Sequence, residues 1–545
     1  MDTPVTERPL PMPDAGEQVR QAILQGMAFE KRPMNSAPAL SPAPAISPAG
    51  PQAVAQPTAA SRFNVVLALK DGRRLAYNTL STAFSVWSAQ EASLYERAAK
   101  GGHTTRDPEV GDFLSGGYLV PQDMNELDEY ARKYHAVRFD SASMTVTIAP
   151  TTSCNFACDY CFQGLDKPNT KMSKKVQDAF IAFLETRLPR LKSLSIVWFG
   201  GEPLMGLPTI RALSRRMIAL CRKCRVRYDG FIVTNGYFLT AKVAKELVSL
   251  KVTGAQVTFD GPAAFHDQRR LLTSGRPTYD IIVDNLREVI DAVPLQISGR
   301  VNVDERNAGQ VRELIDDLAR RGFARRKTFG LYFAPVEAIT DSCQSCSEVE
   351  IGKAAYGRLE AEFYRYGIDQ GLCGLPKPPL FMGNCQAVRP NGLLLAPDGS
   401  IHKCWDTMHL SKLKVGSIFE PEKFADNPIF KKWLAWTPLD NPVCRECKIL
   451  PICSGMCAFK FIHPEQTHGE AGILPCPSWK FNFNERIFLR AEKMGVVRRE
   501  DIADDVLATS AASVGANHNL NDFPVISGRS RPFPLPVRVE IAAVC

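Results

Sequence analysis

Cys154, Cys158 and Cys161 fall in the run Thr-Thr-Ser-Cys-Asn-Phe-Ala-Cys-Asp-Tyr-Cys-Phe, spaced C-x3-C-x2-C. Three thiolates can hold a four-iron cluster and leave one iron without a protein ligand. That open iron can take a small molecule and pass it an electron, which side chains cannot do alone. The competing chemistry is structural zinc. Tetrahedral zinc takes four ligands, commonly as two C-x2-C pairs. No Cys or His stands close by in sequence to complete this trio, so its spacing favours iron and sulfide.

A second set of cysteines is also ordered. Cys385 is followed by Gly399 and then Cys404; Cys444-x2-Cys447-x5-Cys453-x3-Cys457 comes next, and Cys476 last. Thiols this densely placed suit metal binding. A zinc ribbon is the alternative. Cys221/Cys224 and Cys343/Cys346 form further C-x2-C pairs that fit no cluster pattern. Cys545 ends the chain and is expected to be an exposed free thiol.

The triplet resembles the signature of radical S-adenosylmethionine (radical SAM) enzymes, and the later seven cysteines match the SPASM pattern. The resemblance implies S-adenosylmethionine and three [4Fe-4S] clusters as cofactors. Cys154, Cys158 and Cys161 would hold the cluster that binds SAM. Cys385, Cys404 and Cys457 would serve a first auxiliary cluster, and Cys444, Cys447, Cys453 and Cys476 a second. Two such clusters need eight ligands against these seven cysteines, so the resemblance leaves an open iron, a non-cysteine ligand and an added thiolate such as Cys373 all open. Tyr160 would lie against the adenine. Gly200-Gly201-Glu202-Pro203 resembles the family's Gly-Gly-Glu motif, whose backbone and acid bind the SAM amino group. Glycine permits close backbone approach, and a carboxylate attracts an ammonium. Asn235, Asp260, Arg300, Asn302 and Asp304 match residues that contact the SAM carboxylate and ribose; Arg300 suits a carboxylate through its planar fork. Asn235 and Asp260 equally suit plain turn roles. In sulfatase-maturing relatives an aspartate that acts as a base directly follows the cysteine equivalent to Cys404. Here Trp405 intervenes before Asp406, which counts against that role.

The elements that must position these residues follow from periodicity. Strands are expected at 143–148, 194–199, 229–234, 254–259, 295–302 and 328–333, with helices at 173–188, 207–222, 240–250, 279–292 and 308–322. Six strand–helix units imply a parallel sheet. They fit an α/β fold of the partial (β/α)6 barrel type seen in the resembled family, with the site at the carboxyl ends of the strands. Before it, 1–61 reads as a disordered Pro/Ala-rich arm, with a short helix over 17–30. Residues 62–138, with a strand pair turning at Asp71-Gly72, resemble a small winged-helix-like domain that grips a leader peptide; a structural cap is the alternative. The barrel covers 139–340, a linker 341–384, the Cys-rich SPASM domain 385–480, a helix 481–505 and a flexible tail 506–545.

Composition is that of a folded globular protein, at 45% hydrophobic and 23% charged, and the net charge of +8 is modest. No basic run interleaved with aromatics points to nucleic acid. No apolar segment suits a signal peptide or a membrane span, so no membrane partner is expected. Sixteen cysteines in such a chain suggest metal binding in a reducing cytoplasm. The reading is a peptide maturase. It abstracts a hydrogen from a ribosomal precursor peptide through a 5'-deoxyadenosyl radical and forms a thioether or carbon–carbon crosslink. A one-electron reductant of flavodoxin or ferredoxin type is the expected partner. The alternatives are a sulfatase-maturing enzyme and a zinc-stabilised peptide-binding protein.

Overall fold

The computed structural model describes residues 54–164, 168–338, 346, 348–375, 383, 385–466 and 475–508. The amino-terminal part holds Pro57–Ala60 (β1), Asn64–Ala68 (β2), Arg74–Asn78 (β3), Phe84–Trp87 (β4), Lys100–Thr104 (β5) and Leu119–Pro121 (β6). β2, β3 and β4 make an antiparallel meander, and Gly72, at φ +84°, supplies the turn between the first two. β1 lies between β5 and β6 in a second antiparallel sheet. The arm expected over 1–61 therefore ends earlier, because Pro57–Ala60 is paired on both sides. Residues 1–53, with the short helix expected at 17–30, lie outside the described residues. The helix Glu126–Arg138 follows β6 and buries Tyr130 and Tyr134.

Six parallel strands form the centre: Ser143–Ile148 (β7), Ser193–Trp198 (β8), Arg227–Thr234 (β9), Val252–Phe259 (β10), Gln296–Val303 (β11) and Phe329–Pro335 (β12). They lie in sequential order, each paired with the next. Every residue of β7 and β8 is buried, as expected when both faces of a parallel sheet are covered. The helices Lys174–Arg187, Leu207–Cys224, Ala241–Ser249, Tyr279–Ala292 and Val311–Arg320 intervene. Ser173 and Thr240 cap two of them by accepting a backbone N–H in the first turn.

The sheet does not stop at β7. Gly392–Leu395 (β13) pairs parallel to β7, and Ser400–His402 (β14) and Gly416–Ser417 (β15) extend it antiparallel. The Cys-rich region thus includes a continuation of the central sheet. Two further expectations are corrected. The linker over 341–384 contains the seventeen-residue helix Lys353–Asp369, which buries Tyr356, Phe363 and Tyr364. The helix over 481–505 is Phe483–Lys493, and it stops at Gly495, at φ +75°, before two short turns. From 509 onward the expected tail lies outside the described residues. No described helix is long and apolar enough to cross a membrane.

Candidate active site

The loop after β7 carries the cysteine trio and is tied down on two sides. Thr151 Oγ1 donates to Thr170 O at 2.9 Å, and the Ala157 N–H donates to Leu271 O at 3.0 Å. Phe156, between the first two cysteines, is 5% exposed and bridges to Leu272. Cys154, Cys158 and Cys161 line one cavity of about 330 Å³. Burial pushes the Cys158 thiol up to about 12, with nearby Arg270 opposing the rise. Iron binding has to displace that proton, because the metal ligand is the thiolate.

Gly200 and Gly201 line the same cavity and press against the cysteine loop. A Cβ on Gly200, at φ +127°, would lie 2.4 Å from Thr151 O; one on Gly201 would lie 2.3 Å from both Thr152 O and Ser153 O. The Glu202 N–H donates to Ser153 O at 2.8 Å. The Glu202 carboxylate departs from expectation. It is fully buried and accepts from Leu204 N at 2.9 Å, Thr234 Oγ1 at 2.8 Å and Asn235 N at 2.7 Å. It does not line the cavity, so in this structure it braces the end of β9 rather than facing a ligand ammonium. Asn235 does line it, and its Nδ2 donates to Asn155 Oδ1 at 2.8 Å.

Tyr160 is the hub of a polar network. Its hydroxyl donates to Asp260 Oδ1 at 2.9 Å and accepts from Arg270 Nη1 at 2.6 Å and Asn302 Nδ2 at 3.2 Å. The Arg269 guanidinium lies 4.7 Å from its ring centroid. Asp260 is fully buried behind the tyrosine, outside the cavity lining, and burial raises its pKa. Asp304 is also buried, paired with Arg269 at 2.9 Å and Arg306 at 2.8 Å. Arg300 and Asn302 both reach the cavity, joined by an Arg300 Nε to Asn302 Oδ1 bond of 2.7 Å. Arg270 reaches it too, and its charge acts on Cys158. Sequence reasoning missed Arg270. The one signal for it is the Arg269-Arg270 pair, which closes the short helix Ala263–Arg269 after β10.

The Cys-rich region also reaches the cavity, through Trp405 and Asp406. Trp405, Asp406 and Glu337 line the cavity with Phe162 and Phe199. The Trp405 ring stacks on Phe199 at 4.8 Å. Cys404 Sγ donates to Asp406 Oδ2 at 3.5 Å, and burial raises the Asp406 pKa. Asp406 lines the cavity although Trp405 stands between it and Cys404. Glu337 pairs with Lys460 at 2.5 Å.

The remaining thiols sort into two groups. Burial raises the Cys404 thiol, and then Asp406, Cys457 and Cys385 raise it further. Burial likewise raises Cys453, with Cys476, Cys444 and Cys447 adding to it. Among the described residues, no three Cys, His, Asp or Glu side chains close around a single metal ion. Cys373 belongs to neither group. Its Sγ would lie 2.4 Å from a Cβ on Gly367, and burial alone raises its pKa. It is a core residue, and the added-thiolate option through Cys373 is corrected. Cys221 is 1% exposed in the barrel core, and Cys346 packs with Val336 and Ala338. Cys343 and Cys545 lie outside the described residues.

The family model of the radical SAM superfamily matches residues 148–318. This chain carries a radical SAM domain. Among curated proteins it is 25% identical over 175 residues to the radical SAM cyclopropyl synthase TigE of Paramaledivibacter caminithermalis, covering 29% of this chain and 36% of that protein. It is 33% identical over 137 residues to the serine-type anaerobic sulfatase-maturating enzyme of Bacteroides thetaiotaomicron, covering 23% and 31%. The chain thus spans about a third of the length of the curated relatives it matches. Among solved structures, anSMEcpe with bound AdoMet matches at 17% identity and a TM-score of 0.49, over 64% of this chain and 97% of that one. Streptococcus suis SuiB bound to precursor peptide SuiA matches at 17% identity and a TM-score of 0.44, over 74% and 96%.

The donor set of the radical SAM domain suits a cluster with an open iron. Three thiols face one cavity beside two glycines that leave backbone bare, with the cations of Arg270 and Arg300 in the same wall. Those cations fit the carboxylate of an amino-acid-like ligand.

Proposed function

We propose that this protein is a radical SAM peptide maturase acting on a precursor peptide. The observation that carries the reading is one cavity lined both by Cys154, Cys158 and Cys161 and by Trp405 and Asp406, which follow Cys404. Cys154, Cys158 and Cys161 would hold a four-iron cluster with SAM beside it, and together these would supply radical hydrogen-abstraction chemistry. The chain's residues do the rest. Gly200 and Gly201 leave room for the ligand backbone, and Arg270 and Arg300 orient a carboxylate. Phe162, Phe199, Trp405 and Val336 keep water from the reacting carbon. Auxiliary clusters on the two later thiol groups would accept the electron left after a thioether or carbon–carbon bond forms. A flavodoxin- or ferredoxin-type protein would reduce the first cluster, and residues 62–138 would hold the leader.

The test is anaerobic co-expression with a candidate precursor peptide, followed by mass spectrometry of that peptide. A loss of two hydrogens supports crosslinking. No change in a peptide that binds, with no 5'-deoxyadenosine released under strong reductant, overturns the reading.

Asp406 in the cavity favours a second reading: oxidation of a Ser or Cys in a sulfatase, with Asp406 as the base. Formylglycine in a co-expressed sulfatase, lost in Asp406→Asn, would select it.

A further inference from the structure

Lys480 ends the short turn Ser478–Lys480 and is 3% exposed. Its Nζ lies 3.9 Å from Cys476 Sγ. Cys447 is buried in the adjoining hydrophobic core, and Cys444, Cys453 and Cys476 pack against that same core. Among the described residues, no carboxylate forms an ion pair with Lys480. The contrast with other partly or fully buried lysines is sharp. Lys460 pairs with Glu337, and Lys403 donates to the carbonyls of Arg389 and Gly392. A buried ammonium without a counter-charge is costly, and neutral thiols do not provide one. The residues around Lys480 become a strong anion in one way on the page: by losing their protons to a bound metal group.

We propose that Lys480 is the built-in counter-charge of an iron–sulfur cluster on Cys444, Cys447, Cys453 and Cys476, and that it holds that cluster's reduction potential up. This rests on the reading above that these four thiols carry a cluster. The physical reason is charge. One electron from an external reductant makes the cluster one unit more negative, with no bond made or broken. A fixed cation beside Cys476 stabilises that reduced form more than the oxidised one. An N–H donated to a ligating sulfur acts in the same direction. Lys480 is thus a positioning and tuning residue, not a ligand.

The test uses the full chain reconstituted anaerobically, as wild type, Lys480→Met and Lys480→Arg. Iron and sulfide are counted, and the clusters are titrated with dithionite under paramagnetic resonance. Wild type should hold about twelve irons, at four per cluster. Lys480→Met should keep them, while one signal moves to lower potential, about 59 mV for each tenfold loss in its reduction equilibrium. Lys480→Arg should stay near wild type. Loss of about four irons in Lys480→Met but not in Lys480→Arg would also support the proposal. Three outcomes overturn it: an unchanged midpoint in fully loaded Lys480→Met, an equal shift in both variants, or iron loss in both variants. Wild type with zinc, or with about eight irons or fewer, instead removes the cluster reading beneath it.

Discussion

Trp405 Nε1 donates to Thr147 Oγ1 at 2.9 Å, joining residues 258 positions apart. Thr147 belongs to β7, the strand that leads into the cysteine trio, and Trp405 follows Cys404 directly. One hydrogen bond therefore ties a cavity-lining residue of the Cys-rich region to the strand that leads into the trio. Trp405→Phe keeps an aromatic ring against Phe199 and removes the bond. The expected cost is about 1 kcal/mol, seen as a lower denaturant midpoint with an unchanged slope.

Gly201→Ala should be much worse than its size suggests. The new methyl would meet the carbonyls of Thr152 and Ser153 at 2.3 Å, which only backbone movement can relieve. Overpacking of this kind costs about 1–3 kcal/mol. Because the displaced backbone carries Cys154, iron bound by the trio should fall as well. Iron counting together with thermal unfolding checks both effects; a fully loaded variant of wild-type stability would refute the contact.

Glu202 gives a pH dependence with a definite sign. Burial is the largest influence and holds its folded pKa above 4.5, against the opposing hydrogen bonds from Asn235, Leu204 and Thr234. The native state then keeps this proton more tightly than the unfolded chain. The group's contribution is fully present below pH 4.5 and is lost as pH rises through the folded value. Glu202→Gln should flatten that part of the stability profile. It should also destabilise at all pH by about 1–3 kcal/mol, since an amide N–H₂ replaces an oxygen that accepts. Unfolding midpoints of the metal-free chain between pH 4 and 7 test this.

His266 acts on the acid side. It is fully buried between Phe259 and Tyr279, and burial first, then Arg270 and Arg269, push its pKa well below 6.5. The unfolded chain binds a proton that the folded chain refuses. The stability this neutral ring contributes is present above pH 6.5 and is lost as pH falls below it, at no more than about 1.4 kcal/mol per pH unit. His266→Phe should remove this slope. Comparing unfolding midpoints at pH 5.5 and 7.5 for both proteins decides it.

Cys373→Ala should leave iron content unchanged, because the thiol is buried under Gly367 and burial alone, with no neighbouring thiol, raises its pKa. A loss of iron in this variant would restore it as a ligand.

Much of this protein is legible in local sequence. Each barrel strand lies within two residues of its expected range, and β7 matches it from Ser143 to Ile148. Buried strands and amphipathic helices announce themselves by period, a property of neighbouring residues alone. Cysteine spacing likewise separates the trio from the later seven. What lies across the cavity is not local. Gly392–Leu395 is four residues long, too short for periodicity to name its partner, and its place beside β7 brings Trp405 and Asp406 to the trio. The direction of a side chain is equally hidden. Glu202 turns inward because Leu204 N and two donors at the end of β9, Thr234 Oγ1 and Asn235 N, outcompete solvent, Cys373 is absorbed by the core, and Arg270 enters the wall from a helix end. The sequence by itself determined which residues can do chemistry and which segments carry them. The tertiary structure alone decided which of them face one another, because that depends on contacts between residues hundreds of positions apart.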